Sequence, residues 1–211
     1  MIKFEEIDKN HIIISGTSFF WFSKRLVDLF ISFLLLPTFI LTVVILVSLN
    51  FFYNKGPVFF IQKRMGKHCK SFYAIKFRTM ISTKVINRKH DDPLEVERIT
   101  KLGKIMRKIR LDELPQIINV IKGDMSLIGP RPDYYNHALI YLDNIPNYRN
   151  RHAIRPGISG LSQIRLGYAE GLNATKKKSK IDVYYIENVN IYLEIKIFFG
   201  TIITVLKGIG L

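Results

Sequence analysis

Cysteine and acidic side chains are scarce in this sequence. Its 211 residues include one cysteine, Cys69, so no intramolecular disulfide can form. The five histidines are scattered and Cys69 has no cysteine partner, which argues against a Cys/His zinc site. Only 17 residues are Asp or Glu, against 32 Lys or Arg, and the formal net charge is +15. The partners of this protein are therefore expected to be anionic.

The basic excess is concentrated between Lys55 and Arg110. That stretch contains sixteen Lys and Arg residues but only four Asp and Glu residues. A solvated face accounts for a few of these charges but not for an excess of this size. The patch indicates contact with nucleic acid, anionic lipid headgroups or phosphorylated substrates.

Charge is also missing from one long apolar run. No charged residue occurs from Leu29 to Asn54, and residues 29–49 are almost wholly apolar. A helix needs about 20 such residues to cross a bilayer. The run is too long for a secretory signal peptide, and no small-residue cleavage site follows it. It predicts a membrane segment rather than a buried core helix.

Pro37 lies inside this run and predicts a kink, because proline removes a hydrogen-bond donor and clashes with the preceding turn. Lys24 and Arg25 precede the run, and Lys55 and Lys63 follow it. Positive residues stay on the cytoplasmic side of a membrane, so both ends favour the same side. The expected organisation is an N-terminal tail (1–23), a re-entrant membrane helix kinked at Pro37 (24–54) and a cytoplasmic catalytic domain (55–211).

Local patterns predict that this domain is α+β, small and mostly helical, with a short β-hairpin. The segments Val58–Ile61 and Phe72–Phe77 are rich in β-branched and aromatic residues, and Gly66 lies between them. This spacing predicts the two strands of a hairpin. The polar residues 82–97 predict a loop.

Helical spacing of apolar residues follows in two segments, Ile99–Arg110 and Leu114–Ile121. Gly123 stands where a C-terminal cap of the second helix belongs. The last segment, Ile191–Leu211, is apolar but interrupted by charges such as Glu194. It predicts an amphipathic interfacial helix that lies on the membrane surface or against the core, and these two options stay open.

Asp112 and Glu113 are adjacent carboxylates that follow Arg107 and other basic residues. One interpretation is structural, because Asp is a preferred helix N-cap and Glu favours the first helical turn. The other is catalytic, since a carboxylate can attack phosphorus when a cation relieves its repulsion from the phosphate. Mg²⁺ is the natural cation for carboxylates and phosphates. Local features favour neither interpretation, and the two are compatible.

Two stiff basic turns follow this pair of carboxylates, the Asp112–Glu113 dyad. Arg131 lies between two prolines in residues 129–132. The stiff backbone there is expected to fix the direction of the guanidinium, which predicts a phosphate-binding group. Arg155 opens a second turn, residues 155–160, and Gln163 comes just after it. This second signal is weak by itself.

Other candidate residues carry weaker local signals. Lys76 and Arg78 end the second predicted strand, and a charged strand end explains them equally well. Asp182 is a lone acid in a helical pattern, which by itself indicates a surface residue.

The chain resembles the bacterial sugar transferases of the monotopic phosphoglycosyl transferase family. The most specific block runs from Leu102 to Pro132 and includes the motifs DELPQ and GPRP. The other matching segments are KRLVDLF at 24–30, GPVFFIQKRMGK at 56–67, FYAIKFRTM at 72–80, RHAIRPGISGLSQI at 151–164 and DVYY at 182–185. The resemblance covers the chain from about Lys24 to its C-terminus.

This resemblance implies an enzyme of the bacterial inner membrane, with its catalytic domain on the cytoplasmic face. It implies attack of a carboxylate on the β-phosphate of a UDP-sugar, release of UMP, and a covalent phosphosugar ester. Undecaprenyl phosphate, a polyprenol phosphate, then accepts the phosphosugar, and Mg²⁺ is the cofactor. The product would initiate a surface glycan such as O-antigen, capsule, exopolysaccharide or glycoprotein. Inner-membrane phospholipid is a further expected partner, while the sugar and the oligomeric state, a homo-oligomer included, stay open.

The resemblance also implies roles for individual residues. Asp112 takes the place of the nucleophile, and Glu113 that of its partner, as a metal ligand or a base. Both are expected Mg²⁺ ligands. The expected substrate-binding residues are Lys76, Arg78, Arg107, Arg131, Arg155, Gln163 and Asp182.

The chain departs from the family pattern at the membrane segment. The family commonly has Ser-Pro at the kink, where this sequence has Leu36–Pro37. Without the serine hydroxyl, the broken helix has one hydrogen-bonding group fewer to satisfy its backbone in lipid. The spacing from Asp28 to Pro37 is also short for the family, by about one helical turn. Because only 23 residues precede Lys24, the chain is expected to be the minimal catalytic form.

Two other functions compete with this interpretation. A membrane-tethered protein that binds nucleic acid or anionic lipid without catalysis would explain the charge. A nucleic-acid binder would interleave aromatic with basic residues on a strand face. Phe72, Tyr73 and Phe77 give only a weak form of this pattern. No nucleic-acid partner is therefore expected. A non-enzymatic membrane scaffold, with the dyad as a helix cap, is the second alternative.

Overall fold

The computed structural model describes residues 12–53, 56–82, 95–167 and 171–208. Most of the predicted loop 82–97 lies outside these residues, as do Asn54 and Lys55 at the end of the predicted membrane segment. The described chain is mostly helical with two small sheets, which agrees with the predicted α+β class.

The longest element is helix α1, Ser18–Tyr53, which has 36 residues and runs through Pro37. It begins within the segment predicted to be a tail, six residues before Lys24. Residues Ser18–Asn50 are long and apolar enough to cross a membrane, and the most apolar 18-residue window within them has a mean hydropathy of 2.8. Only 17% of the most apolar window is buried, whereas a core helix of a soluble protein is mostly buried. Whether α1 is re-entrant in a bilayer stays a prediction.

The predicted hairpin is confirmed. Strands β1, Phe59–Met65, and β2, Ser71–Phe77, pair antiparallel, with Phe59 opposite Phe77 and Met65 opposite Ser71. The turn between them is a 3₁₀ turn, Lys67–Cys69. β1 is longer than predicted because its polar second half pairs with β2 along the whole ladder, which apolar patterning does not reveal.

Helix α2, Lys101–Lys108, and helix α3, Gln116–Lys122, confirm the two predicted helical segments. A 3₁₀ turn, Leu111–Glu113, joins them. The residue after α3 is Gly123, whose φ of 90° is the left-handed conformation expected of a glycine C-cap.

A second sheet, absent from the prediction, pairs β3, Ser126–Ile128, in parallel with β4, Gly157–Ser159. Each strand has three residues, too few for an alternating pattern to be visible in sequence. Helix α4, Tyr135–Asn144, and a 3₁₀ turn, Tyr148–His152, lie between them in the chain.

Three helices complete the described chain: α5, Leu161–Leu166, α6, Gly171–Asn188, and α7, Ile191–Leu206. Leu193 and Ile197 of α7 are buried in a cluster with Tyr185 and Ile186 of α6. The rest of α7 exposes large apolar side chains: Ile191, Tyr192, Ile195, Phe198, Phe199, Ile202, Ile203 and Leu206. One face of α7 thus packs against the core, and contact of the apolar outer face with a membrane stays a prediction.

The first half of α1 is fastened to the domain by polar contacts. Lys24 forms an ion pair with Glu194 of α7. The Arg25 guanidinium donates hydrogen bonds to main-chain carbonyls near the end of α3, the first being Val120 O at 2.8 Å. Buried Asp28 accepts hydrogen bonds from Ser126 Oγ at 2.7 Å and from the β3 main chain at 3.1 Å.

The second half of α1 is fastened by apolar contacts. The ring of Phe39 packs on Phe77, with centroids 5.9 Å apart, and on Phe59. Leu46 is buried with Phe77 and with Met106 of α2. α1 therefore contributes to the core of the domain along most of its length.

Gly103 of α2 packs so closely on the chain after β2 that a Cβ there would lie 2.1 Å from the Thr79 carbonyl oxygen. We expect Gly103→Ala to destabilise the protein by about 1–3 kcal/mol, because backbone must move to admit the methyl group. The measurement is the thermal unfolding midpoint in detergent. Lys104→Ala, an exposed change on the same helix, is the control and should leave the midpoint unchanged. Equal midpoints for the two variants would contradict the close packing.

Candidate functional site

The two adjacent carboxylates lie in the 3₁₀ turn between α2 and α3, and both are buried, with Asp112 8% and Glu113 6% exposed. Arg110, just before the turn, has a left-handed backbone with φ 58°. Helix α3 begins after the turn, and its N-cap position is Pro115, with no side-chain cap. The interpretation of Asp112 as a helix N-cap is therefore wrong, because the turn separates Asp112 from the first turn of α3.

Three cations surround Glu113. The Lys76 ammonium lies 2.8 Å from Oε1, and two nitrogens of the Arg131 guanidinium donate to the two carboxylate oxygens. Arg110 approaches Oε2 at 3.7 Å. Burial alone would raise the pKa of Glu113, but the charges of Arg131 and Lys76 hold this pKa well below its usual range. Glu113 is consequently a fixed anion at neutral pH.

Asp112 has a different environment, although it is the next residue. Its Oδ1 is buried and has no hydrogen-bond partner within the described residues. Burial raises the pKa of Asp112, the charge of Glu113 adds to the rise, and Lys76 opposes it. Neighbouring carboxylates whose pKa values are pushed apart in this way are typical of a site with two distinct roles.

The structure brings four of the predicted substrate-binding residues to this site. Lys76 and Arg131 contact Glu113 directly. The positive charge of Arg107 partly opposes the rise that burial causes in the pKa of Asp112, and the Nε of Arg107 donates to Thr79 Oγ1 at 2.9 Å. Gln163 lines the same cavity as Glu113.

Two of the predicted basic residues instead brace the fold. Arg78 donates to Pro57 O at 2.6 Å and to the Asn50 side chain at 3.3 Å, so it joins the end of β2 to the end of α1. Arg155 donates to Gly123 O at 2.8 Å, at the end of α3 opposite to the dyad. Their positions were predicted from motif order, which does not show where a side chain points.

Asp182 is also placed away from the dyad, in a buried ionic cluster. Only 1% of its surface is exposed, and its Oδ2 accepts from Arg151 Nε at 2.9 Å and from Nη2 at 2.7 Å. The same guanidinium pairs with Asp133, which also binds Lys178. Asp182 is therefore not the surface residue that its local sequence pattern predicted. It is not a direct neighbour of the dyad either.

Arg151 is the residue that sequence reasoning missed. Its Nη2 donates to the main-chain oxygen of Arg131 at 2.7 Å, so the Asp182–Arg151 pair holds the segment that carries Arg131 to Glu113. One signal was available, because Lys178 and Asp182 are four residues apart and share a face of α6. Nothing local distinguishes the buried Arg151 from the exposed Arg149 two residues earlier.

Comparison with known proteins gives one family match and three similar relatives. A family model described as bacterial sugar transferase matches residues 19–208. The chain is 37% identical to an exopolysaccharide production protein, PSS, of Rhizobium leguminosarum bv. phaseoli, over 89% of this chain and 97% of the relative.

Two further relatives are named as enzymes. A UDP-N-acetylgalactosamine-undecaprenyl-phosphate N-acetylgalactosaminephosphotransferase of Aeromonas hydrophila is 38% identical over 99% of this chain and 50% of the relative. A UDP-glucose:undecaprenyl-phosphate glucose-1-phosphate transferase of Klebsiella pneumoniae is 38% identical over 88% of this chain and 40% of the relative. The chain thus spans at most half the length of these two enzymes.

Buried His152, beside Arg151, predicts loss of stability in mild acid. Burial and the charge of Arg151 lower the pKa of His152 to about 3, and its Nε2 has no hydrogen-bond partner among the described residues. The folded pKa lies below the unfolded value of about 6.5, so protonation favours unfolding and stability falls as the pH drops below about 6.5. At pH 5 the loss should be about 2 kcal/mol relative to pH 7.5.

Thermal midpoints at pH 7.5 and pH 5 measure this effect. His152→Gln, which cannot be protonated in this range, should lose less than half of what the wild type loses. His68→Asn, a change of an exposed histidine to a residue that tolerates its left-handed backbone, should behave like the wild type. An unchanged acid loss in His152→Gln would show that another group causes it.

Proposed function

Because this chain belongs to the bacterial sugar transferase family, we propose that it transfers a sugar 1-phosphate from a UDP-sugar to undecaprenyl phosphate and releases UMP. Two relatives with these substrates in their names support the proposal. The observation that carries it is the unequal dyad, in which Glu113 is held by cations while Asp112 keeps a buried, unpartnered oxygen. A nucleic-acid binder or a scaffold has no use for such a pair.

In the first step, a carboxylate oxygen of Asp112 attacks the β-phosphorus of the UDP-sugar. The bond from that phosphorus to the oxygen bridging the two phosphates breaks, and UMP leaves with the electron pair. The sugar phosphate stays on Asp112 as a mixed anhydride. Asp112 suits this step because Oδ1 has no hydrogen bond to give up before it attacks.

In the second step, a phosphate oxygen of undecaprenyl phosphate attacks the same phosphorus. The bond between phosphorus and Asp112 breaks, which restores the carboxylate and gives an undecaprenyl diphosphate sugar. No water enters either step, and the burial of the dyad favours transfer over hydrolysis of the intermediate. The product is the lipid-linked first sugar of a surface glycan.

Glu113 acts by holding Lys76 and Arg131 where negative charge develops on the phosphates. Of the two roles left open by the sequence, its surroundings disfavour general base, because an anion held by three cations is a weak proton acceptor.

The dyad also fits Mg²⁺. This ion is usually held by one or two protein carboxylates together with substrate phosphates, so two adjacent carboxylates are a sufficient contribution. Asp112 would hold it, with Glu113 beside it, while Oδ1 is left for the attack on phosphorus. No group of three or more His, Cys, Asp and Glu side chains forms a metal site within the described ranges, so a metal here depends on the substrate for further ligands. When bound, Mg²⁺ would offset the charge of the phosphates.

We further propose that α1 is re-entrant in the bacterial inner membrane and that the dyad faces the cytoplasm. The contacts of α1 support this, because Lys24 and Asn50 both bind the same domain. The helix rises about 39 Å from Lys24 to Asn50, more than the hydrocarbon core of about 30 Å. A helix with one end across the membrane could not make both sets of contacts.

Asp112→Asn tests the chemistry. Detergent-solubilised protein is incubated with a panel of UDP-sugars, Mg²⁺ and undecaprenyl phosphate, and UMP is measured. We expect the variant to release UMP at least about 1,000-fold more slowly, because an amide oxygen is a poor nucleophile. Mass spectrometry of wild-type protein without the lipid should find a phosphosugar on the peptide that contains Asp112.

The matched control is Asp143→Asn, which removes an exposed carboxylate from α4 and should keep full activity. Thermal unfolding of both variants checks that they fold. Undiminished UMP release by a folded Asp112→Asn protein would refute the covalent mechanism.

Labelling of single cysteines tests the topology. In a Cys69→Ser background, Ser18→Cys and Tyr53→Cys place one thiol at each end of α1, where both residues are exposed. A membrane-impermeant maleimide should label neither in intact spheroplasts and both after lysis. Labelling of Ser18→Cys alone in intact spheroplasts would show that α1 spans the membrane.

A further inference from the structure

Arg64 of β1 has no part in the chemistry described so far, although it lies on the face of the hairpin that carries Lys76. In the register of the hairpin, Phe60 is opposite Lys76 and Arg64 is opposite Phe72. Side chains alternate between the two faces of a strand, so Arg64 and Lys76 project from the same face. Phe72 packs on that face against Val120 of α3, the helix that follows the dyad. Arg64 is therefore on the side of the hairpin that faces the site.

The guanidinium of Arg64 is held beside the segment that carries Arg131. Its Nη1 donates to the main-chain oxygen of Pro132 at 3.1 Å, and its Nη2 donates to Gln62 Oε1. The main chain of Arg64 also pairs with that of Tyr134. Both side-chain acceptors are neutral groups, so these two bonds orient the guanidinium without cancelling its charge.

The positive charge of Arg64 reaches the site. Burial lowers the pKa of Lys76, and the charges of Arg131 and Arg64 lower it further. Cations that repel one another in this way are stabilised when an anionic ligand binds among them. Arg64 and Gln62 are only half-buried, so a ligand at the dyad can reach them.

The geometry of phosphoryl transfer distinguishes the two phosphates of the donor. The attacking oxygen and the leaving oxygen lie roughly in line, on opposite sides of the phosphorus. When Asp112 attacks the β-phosphorus, the α-phosphate therefore lies on the far side, away from Asp112. Lys76 and Arg131 contact the dyad and can serve the β-phosphate, while the α-phosphate requires a cation further out. Arg64 has this position, because it is bonded to the residue after Arg131.

We propose that Arg64 binds the α-phosphate of the UDP-sugar and that Gln62 orients it for this contact. The inference rests on the proposed function and adds to it a residue that binds the leaving group. As the bond between the phosphates breaks, negative charge develops on the phosphate of UMP, and a fixed guanidinium stabilises that charge. The competing explanation is that Arg64 only braces the turn that carries Arg131, through its bond to Pro132.

The affinities of uridine, UMP and UDP test the assignment. Each is measured by displacement of radiolabelled UDP-sugar from detergent-solubilised Asp112→Asn protein, which binds the donor without turning it over. The gain in affinity from uridine to UMP measures the contribution of the α-phosphate. The gain from UMP to UDP measures that of the β-phosphate.

Arg64→Gln should reduce the gain from uridine to UMP by about tenfold, because a charge-assisted hydrogen bond is lost, and should leave the gain from UMP to UDP within about twofold. Gln62→Glu should have the same effect, since the new carboxylate neutralises Arg64 while the bond to Pro132 is kept. Lys63→Gln removes a charge from the opposite face of β1, where Lys63 lies over the ring of Tyr135, and should change neither gain. With Asp112 intact, kcat/KM for UDP-sugar should fall about tenfold in the first two variants only.

Thermal unfolding checks that the variants fold, and Gln62→Glu decides the question if Arg64→Gln does not. An unchanged gain from uridine to UMP in folded protein would overturn the assignment. Loss of the gain from UMP to UDP instead, with Gln62→Glu like the wild type, would show that Arg64 only braces Arg131. An equal loss in Lys63→Gln would mean that net charge alone causes the effect.

Each of these contrary results concerns Arg64 and leaves the proposed function intact, provided that the wild type releases UMP. A wild type that releases no UMP with any UDP-sugar would refute the function itself, and the role of Arg64 with it.

Discussion

The arrangement of the site depends on one buried guanidinium, that of Arg151. It is 1% exposed and lies between Asp133 and Asp182, with a further hydrogen bond to the main chain of Arg131. A charge this deep is tolerated only when it is paired and its donors are satisfied, so loss of both acids would leave it unpaired at a cost of about 3–5 kcal/mol. Arg131 is thereby held where it meets Glu113. Asp182 of helix α6 thus supports the position of Glu113 indirectly, through Arg151 and Arg131.

Through Arg131, this constraint determines how the two carboxylates differ. Cations that could have been shared between Asp112 and Glu113 are concentrated on Glu113, which stays ionised and immobile. Asp112 is left buried with an unused oxygen. The difference between the two carboxylates is thus set by partners from β2 and from the turn after β3, not by the dyad's own residue types.

Sequence patterns predicted the features that depend on neighbouring residues. The apolar helix around Pro37, the hairpin, and α3 with Gly123 at its end all follow from local periodicity and turn chemistry. What escaped prediction depends on distant residues: Arg151 and Asp182 are 31 residues apart, and the strands of the small parallel sheet are separated by α4. For the same reason the motifs could not show that Arg131 faces the dyad while Arg155 caps the far end of α3.

Helix α1 is more than an anchor, because its residues complete the interior of the domain. Phe39 and Leu46 cover Phe77 and Met106, and the carboxylate of Asp28 satisfies the edge of β3. Removing α1 would expose this apolar interior to water and leave polar groups of β3 without partners. The domain therefore depends on α1 for its own interior, and it cannot complete its core until that helix is in place.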